Sequence, residues 1–321
     1  MSIKQEVLKK LDEERGKIFS GEELAEEFGV SRNAVWKAIK ALREDGYEIA
    51  ATTNRGYSLH PKSDILTAEG VKSHLSFDCD IRVFKSVEST NDELKKLAMQ
   101  GAPEWTVVIA EGQKKGRGRN NHSFYSPCAT GLYISVLFRP VFSSSDSLFV
   151  TTSAAVAVCE AIESIGGEKA QIKWVNDVFL RGKKVCGILT EASFSVENGG
   201  MEYVIAGIGI NVKKGAFPQE LESIATSVFG DDCPDDARAR LAAVLLERLK
   251  HYYEGIPERT FYPEYVRRSF LIGKKVQVFS GRIEGEAVVE GIDEHCFLKV
   301  RFADGSERLL SSGEVSVRLH E

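Results

Sequence analysis

The sequence predicts a multidomain chain: an N-terminal winged helix-turn-helix, a central α+β domain on a mixed sheet, and a small C-terminal β-barrel. Three observations predict it. Residues 3–60 repeat apolar positions at helical spacing, broken by a Ser/Glu capping pattern and glycines, and end in Asn/Gly turn chemistry. Residues 81–270 mix apolar strand-like runs with long helical stretches. From about 272, short strand-like runs are separated by Gly and Asp turns. At 321 residues, 43% hydrophobic and 28% charged, the chain can build two or three cores of ordinary globular composition. The boundaries expected are 1–62, 63–270 and 271–321.

In the first module, Ile3, Val7, Leu8 and Leu11 form one helical face. Ser20 and Glu23 make a capping box that opens a short helix carrying Leu24, Ala25 and Phe28, ended by Gly29. Ser31 caps a third helix with Val35, Ile39 and Leu42 inward and Gly46 as its stop. Tyr47–Ile49 and Tyr57–Leu59, joined through Thr53-Asn54-Arg55-Gly56, read as a two-stranded wing. The outward face of the third helix carries Arg32, Asn33, Trp36, Lys37, Lys40 and Arg43, and Arg55 tips the wing. These residue types suit phosphate positioning and major-groove entry. Residues 3–60 hold ten basic and eleven acidic side chains, so charge alone does not separate DNA binding from protein docking by a solvated face. The order of elements favours DNA.

Residues 61–80 read as a linker and short helix, with Asp64 as a cap and Leu66, Val71 and Leu75 as anchors onto the next domain. Strands are expected at Ile81–Phe84, Trp105–Ala110, Leu132–Phe138, Ile172–Trp174, Val185–Ala192 and Tyr203–Ile210, and helices near 90–99, 146–165 and 237–253. Weak alternation in Tyr133–Phe138 implies a strand covered on both faces. The segment Asp177–Lys184 reads as a short turn between neighbouring strands, which favours a mixed or antiparallel sheet over a Rossmann succession. Val276–Val278, Ile283–Glu290, Cys296–Arg301, Ser306–Leu310 and Val315–Leu319 are the strands of the small barrel.

A net charge of -5 implies no general polyanion coating. The six cysteines are scattered without a CxxC pair and read as buried free thiols. No signal-peptide core is visible, and no apolar run approaches the ~20 residues that cross a bilayer, so a cytoplasmic protein with no membrane partner is expected.

The chemistry concentrates in the central domain. Gly116-Arg117-Gly118-Arg119 has no apolar residue to hold it in a core and reads as a mobile lid whose guanidinium forks meet a carboxylate or phosphate. The bland alternative is a solvated basic loop. Ser89-Thr90-Asn91 opens a helix, either as a simple cap cluster or as hydroxyl and amide groups facing a polar ligand head. Gln113 follows an apolar strand, a place for a ligand contact or a surface turn. Lys173-Trp-Val-Asn-Asp177 and Lys184, with Lys183 on the other side, supply anion chemistry. Gly207-Ile-Gly209-Ile-Asn211 ends a strand where backbone can approach a ligand closely. P-loop, kinase and Ser-His-Asp patterns are absent.

Taken together, Glu88-Ser-Thr-Asn91, Gly112-Gln113, Gly116-Arg-Gly-Arg119, Ser126-Pro127, Lys173-Trp-x-Asn-Asp177, Lys184-x-x-Gly187-Ile-Leu and Gly207-Ile-Gly-Ile-Asn211 are highly specific. The chain resembles, over essentially its full length, the bifunctional bacterial biotin–protein ligases that double as biotin operon repressors. The resemblance implies a class II synthetase-like central domain and an SH3-like C-terminal barrel. It implies an ATP-dependent reaction that forms biotinyl-5′-AMP, with Mg2+ shielding the phosphates, and passes biotin to a lysine of the biotin carboxyl carrier protein of a biotin-dependent carboxylase. It also implies a homodimer, promoted by the adenylate, on double-stranded operator DNA.

By the same resemblance, Ser89, Thr90 and Gln113 contact the ureido head of biotin, with Gly116 and Arg117 near its carboxylate. Arg117, Gly118 and Arg119 belong to a loop that orders over biotin and the adenylate, and Lys184 bonds the carboxylate and the α-phosphate region. Lys173, Asn176, Asp177 and Asn211 correspond to the nucleotide and metal side, with Asp177 as the metal residue. Gly207 and Gly209 line the biotin tail, and Arg318 is a nucleotide contact from the barrel. Lys184, Arg117 and Arg119 are expected to act catalytically by placing positive charge where two anions meet.

The sequence departs from the family pattern in places. Val175 stands for a proline, which is expected to loosen the turn that holds Asn176 and Asp177. Asn120-Asn121-His122-Ser123-Phe124 replaces a further basic residue and a tryptophan, so lid closure is expected to weaken while Phe124 keeps an aromatic wall. A regulator with a degenerate ligand-sensing domain and a lipoate-type ligase are the other readings.

Overall fold

The computed structural model describes residues 2–44, 47–52, 55–60, 65–119, 122–140, 142, 147–194, 201–215, 217–280, 283–311 and 316–319. It divides into two compact units, Met1–Asp78 with Asp232–Leu246, and Cys79–Asp231 with Glu247–Glu321.

The first unit starts with α1 (Ile3–Glu13), α2 (Gly21–Glu27) and α3 (Arg32–Glu44), followed by β1 (Ile49–Thr52) paired antiparallel with β2 (Gly56–Leu59). The expected caps form. Ser20 Oγ accepts from Glu23 N at 3.0 Å while the Glu23 carboxylate accepts from Ser20 N, and Ser31 Oγ accepts from Ala34 N. A further capping box at Ser2 and Gln5 opens α1. Val7, Leu8, Leu11, Leu24, Val35, Ile39, Leu42 and Leu59 make one buried core. The helix α4 (Ala68–Lys72) is capped by Thr67, whose Oγ1 accepts from Gly70 N. Asp64, the expected cap, lies outside the described residues, as do Gly46 and the wing residues Thr53 and Asn54. Val71 is buried within this first unit.

The second unit is built on a seven-stranded sheet in the order β3-β4-β5-β9-β8-β7-β6. Its strands are β3 (Asp80–Phe84), β4 (Thr106–Ala110), β5 (Gly131–Phe138), β6 (Gln171–Lys173), β7 (Asp177–Leu180), β8 (Lys183–Phe194) and β9 (Met201–Asn211). Only the β3–β4 pair is parallel, so the sheet is mixed. All of β5 is buried, as its weak alternation implied. Helices α5 (Thr90–Met99) and α6 (Ser147–Gly166) pack on the sheet. The expectation of no apolar run near membrane-spanning length needs correction. The helix α6 is 20 residues and apolar enough, yet every residue from Leu148 to Cys159 is buried.

The segment Asp177–Lys184 is a strand and a tight turn rather than a turn alone. Arg181 and Gly182 take positive φ (51° and 74°) between β7 and β8, which leaves room for Asp177–Leu180 to pair on both sides. Three further helices complete the chain: α7 (Gln219–Glu222), α8 (Ala237–Glu254), which begins in the first unit and ends in the second, and α9 (Tyr262–Arg268). The C-terminal strands β10 (Lys275–Ser280), β11 (Ile283–Ile292), β12 (Leu298–Phe302), β13 (Glu307–Leu310) and β14 (Ser316–Leu319) form an antiparallel sheet ordered β13-β12-β11-β10-β14, with SH3-like connectivity. This sheet is joined to the central part where Trp174 Nε1 donates to Cys296 O at 2.9 Å and Tyr262 Oη donates to Ile292 O at 2.8 Å. All six cysteines are free thiols; Cys79, Cys159, Cys186 and Cys296 are buried, whereas Cys128 is exposed.

Candidate active site

Strand register lays a floor in which glycines take central positions. Asp177, Gly187, Gly209 and Tyr133 lie in one row across β7, β8, β9 and β5, and Leu189, Gly207 and Ser135 lie in the next row of the same face. The glycines are required by what lies on them. A Cβ on Gly207 would stand 2.1 Å from Asn91 Oδ1, and one on Gly209 would stand 2.4 Å from the Phe124 ring.

Lys184 reaches that floor through an irregularity. It is three residues from Gly187, so regular alternation would send the two to opposite faces. Between β7 and β8, Val178 pairs with Cys186 but Phe179 pairs with Lys184, so β8 carries one extra residue, a bulge that re-aims Lys184. A Cβ on Gly187 would be 3.4 Å from Lys184 Nζ, and that Nζ is 2.6 Å from Asp177 Oδ1. Lys183 has the other orientation and donates to Glu222 O.

A cavity of about 200 Å³ opens above the floor. It is lined by Ser89, Thr90, Asn91, Gln113, Arg117, Gly118, Arg119, Phe124, Lys173, Asn176, Asp177, Lys184, Gly207 and Gly209, all singled out from the sequence. His122, Ser123, Trp174, Gly187, Ile188, Leu189 and Ile208 complete the lining. Four basic side chains, Arg117, Arg119, Lys173 and Lys184, and one carboxylate, Asp177, are among its lining residues. Such a site attracts an anion.

Its polar wall is wired before any ligand is considered. Gln113 Oε1 accepts from Thr90 N at 2.9 Å and Thr90 Oγ1 at 3.2 Å, while its Nε2 donates to Ser126 Oγ at 3.0 Å. Ser135 Oγ, fully buried in β5, lies 2.7 Å from Thr90 Oγ1 and donates to Asn91 Oδ1 at 2.6 Å. Asn91 Nδ2 in turn donates to Glu191 Oε2 at 2.6 Å. Ser89 sits at the N-cap of α5 without a side-chain capping bond. The sequence reading missed Ser135, although a lone serine inside Leu132–Phe138 was a visible signal. Glu191 and Asp92 carried no such signal.

Residues 116–119 and 122–124 pair as the two arms of a hairpin. Phe124 N donates to Gly116 O at 2.8 Å, Gly118 N to His122 O at 2.7 Å, and Arg117 bridges Ser123. Its tip residues Asn120 and Asn121 lie outside the described residues. Arg119 Nη1 donates to Asn176 Oδ1 at 3.3 Å; burial lowers its pKa, and the Asp177 charge opposes that. Arg117 instead makes a two-pronged pair with Asp92, at 3.0 and 2.6 Å, and this bond raises its pKa.

Some expected site residues do not line the cavity. Gly116 is packed against its neighbours, where a Cβ would meet Phe124 O and Ser126 Oγ at 2.5 Å. Asn211 donates its Nδ2 to Thr226 O at 3.0 Å and so supports a neighbouring loop. Arg318 sits on β14 opposite Gln277, and its side chain lies outside the described residues. At the turn that carries Val175, Tyr265 Oη donates to Val175 O at 2.9 Å and Asn176 Nδ2 donates to Ile188 O at 2.6 Å; the Trp174–Val175 peptide is cis.

On the first unit, Arg32, Asn33, Trp36, Lys37, Lys40, Arg43 and Arg55 are all exposed, with Trp36 at 50%. Lys40 Nζ lies 5.8 Å from the Trp36 ring centre. Arg43 donates from Nε and Nη2 to Ile49 O at 2.9 and 2.6 Å, which makes it a tie between α3 and the wing.

Three family models match the chain: an HTH domain over residues 4–58, the biotin/lipoate A/B protein ligase family over 83–211, and a biotin protein ligase C-terminal domain over 271–318. The chain is 31% identical to the bifunctional ligase/repressor BirA of Bacillus spizizenii, over 97% of this chain and 98% of that protein. To the protein of the same name from Escherichia coli it is 28% identical, over 95% of each. Among solved structures, the biotin protein ligase of Aquifex aeolicus in complex with biotin and ATP superposes with a TM-score of 0.64 at 27% identity, covering 75% of this chain and 99% of that one.

Proposed function

The chain belongs to the biotin/lipoate A/B protein ligase family, among its bifunctional ligase/repressors, and from that premise we propose an ATP-dependent biotin–protein ligase that also represses transcription. The observation that carries the ligase reading is the cavity, in which Lys184 and Arg119 meet Asn176 and Asp177 beside the Thr90–Gln113–Ser126 wall. In the first step a carboxylate oxygen of biotin bonds to the α-phosphorus of ATP, the bond from that phosphorus to the β-phosphate bridge breaks, and pyrophosphate leaves. Both reactants are anions. Lys184 and Arg119 lower the barrier by holding positive charge where negative charge accumulates. The carboxylate is ionised at neutral pH, so no general base is needed. In the second step a lysine amine of the carrier protein attacks the acyl carbon, the amide forms, AMP departs and the amine loses its proton to solvent. The hairpin over the cavity keeps water from the mixed anhydride.

Lys173, Asn176 and Asp177 are assigned to the nucleotide, Ser89, Thr90, Asn91 and Gln113 to the biotin head, and Gly207, Gly209 and Phe124 to its tail. Asn211 is assigned to supporting the nucleotide side and Arg318 to reaching it from the barrel. The donor set fits Mg2+: Asp177 offers one carboxylate and Asn176 one amide oxygen, the hard ligands that suffice when nucleotide phosphates supply the rest. Bound there, the ion would neutralise phosphate charge. We assign residues 1–62 to operator DNA, 63–270 to catalysis and 271–321 to the nucleotide-side barrel. Partners are the biotin carboxyl carrier protein, double-stranded operator DNA and a second copy of the chain, in the cytoplasm.

The test is incubation with ATP and either biotin or lipoate, followed by a carrier domain. Biotin-dependent pyrophosphate release and carrier labelling are expected; release with lipoate alone would overturn the substrate, and release with neither would overturn the enzyme.

A further inference from the structure

Arg117 has the charge but not the situation of a substrate clamp. Both of its terminal nitrogens are engaged by the two oxygens of Asp92, and Glu191 Oε1 lies 3.6 Å away, so two carboxylates neutralise one guanidinium. Arg119, two residues on, is the more deeply placed and points at Asn176. The Arg117 pair joins three elements. Its backbone bridges Ser123 within the hairpin, Asp92 lies in the first turn of α5 next to Asn91, and Glu191 on β8 holds the Asn91 amide. The hairpin is thereby tied to the helix whose start presents Ser89, Thr90 and Asn91 to the cavity.

We propose that Arg117 serves the reaction through Asp92: the ion pair latches the 116–124 hairpin to α5, and Asp92 is a positioning residue that sets how long the adenylate is retained. This rests on the ligase reading. A substrate contact and a latch make opposite predictions for Asp92. If Arg117 met the substrate anions, neutralising Asp92 would release the guanidinium toward them and strengthen binding. If it is a latch, losing either partner loses the same bond.

Full-length D92N, R117Q and the double variant decide between them, with two readouts: formation of biotinyl-adenylate in a single turnover, and its release after a chase. Both side chains are more than a third exposed, 37% and 38%, so neither change touches the core. Each single variant is expected to release adenylate about five- to tenfold faster, the scale of a two-pronged but part-exposed ion pair. In D92N, formation should stay within about twofold of the parent, and the double variant should release no faster than either single one. A general loss of structure would lower both readouts together. Parent-like retention in D92N with impaired formation in R117Q, or multiplicative effects in the double variant, would overturn the latch. A parent protein that forms no adenylate would refute the ligase reading, and the latch with it; adenylate formed with independent single effects refutes the latch alone.

Discussion

At the scale of single residues, the site is a set of close approaches that only particular side chains allow. Lys184 is the sharpest case. Its Nζ is paired with Asp177 and lies over Gly187, yet its side chain is 37% exposed, so it contributes little to packing. Lys184→Ala should therefore cut biotin-dependent pyrophosphate release by roughly a hundred- to a thousandfold, the cost of losing one charge placed for the transition state. The thermal midpoint should hardly move. Near-normal turnover in that variant would remove Lys184 from the chemistry. The residue types of the cavity were legible in the sequence, because Ser-Thr-Asn, Gln, Gly-Arg-Gly-Arg and Lys-Trp-x-Asn-Asp are polar clusters at strand and helix ends. The division of labour between Arg117 and Arg119 was not, since Asp92 is an ordinary first-turn acid until the hairpin folds against it.

At the scale of elements, the start of α8 meets α1 and α4 in a charged cluster within the first unit. Asp12, Arg15, His74 and Asp236 converge there, with His74 Nε2 3.3 Å and Asp236 Oδ2 3.6 Å from their respective partners Asp12 and Arg15. Burial first, and the Asp12 charge second, push the Asp236 carboxyl up to about 6, against Arg15, Arg240 and His74. Burial also works to raise Asp12, but His74 and Arg15 outweigh it and hold it low. A carboxyl raised on folding favours the folded state in its protonated form. Its contribution is full below the unfolded value of about 4 and is lost as pH rises through about 6. Asp236→Asn removes the charge and suits the positive φ of 64° at this position. It should stabilise the protein by about 1 kcal/mol at pH 7 and flatten the fall in thermal midpoint between about pH 4 and 6. A midpoint that drops at pH 7 would show the Arg15 pairing to outweigh burial. Elements themselves were legible wherever apolar runs were long, as in α6 and β5. The strand β7 was not, because four residues before an Arg-Gly turn carry the same signal as the turn itself.

At the scale of the whole molecule, a helix-turn-helix module and a ligase domain share one chain. If the adenylate promotes a homodimer, operator binding should be ligand-linked, because a two-fold DNA site calls for two copies of the helix-turn-helix. A gel shift on operator DNA should tighten at least about tenfold with biotin plus ATP over either alone, as for a coupling energy of ordinary size. Binding indifferent to both ligands would refute the coupling.

The sequence by itself determined the order of the modules, the mixed character of the central sheet and the residue types that face an anion. Capping boxes, turn glycines and apolar periodicity are local signals, and each acts within a few residues of where it is written. What only the tertiary structure decided was register. One extra residue in β8 turns Lys184 onto the face of Gly187, Gly207 and Gly209, and an ion pair 25 residues apart in sequence ties the hairpin to α5. Both depend on which strands and loops come to lie side by side, a property of the folded sheet that no short stretch of sequence contains.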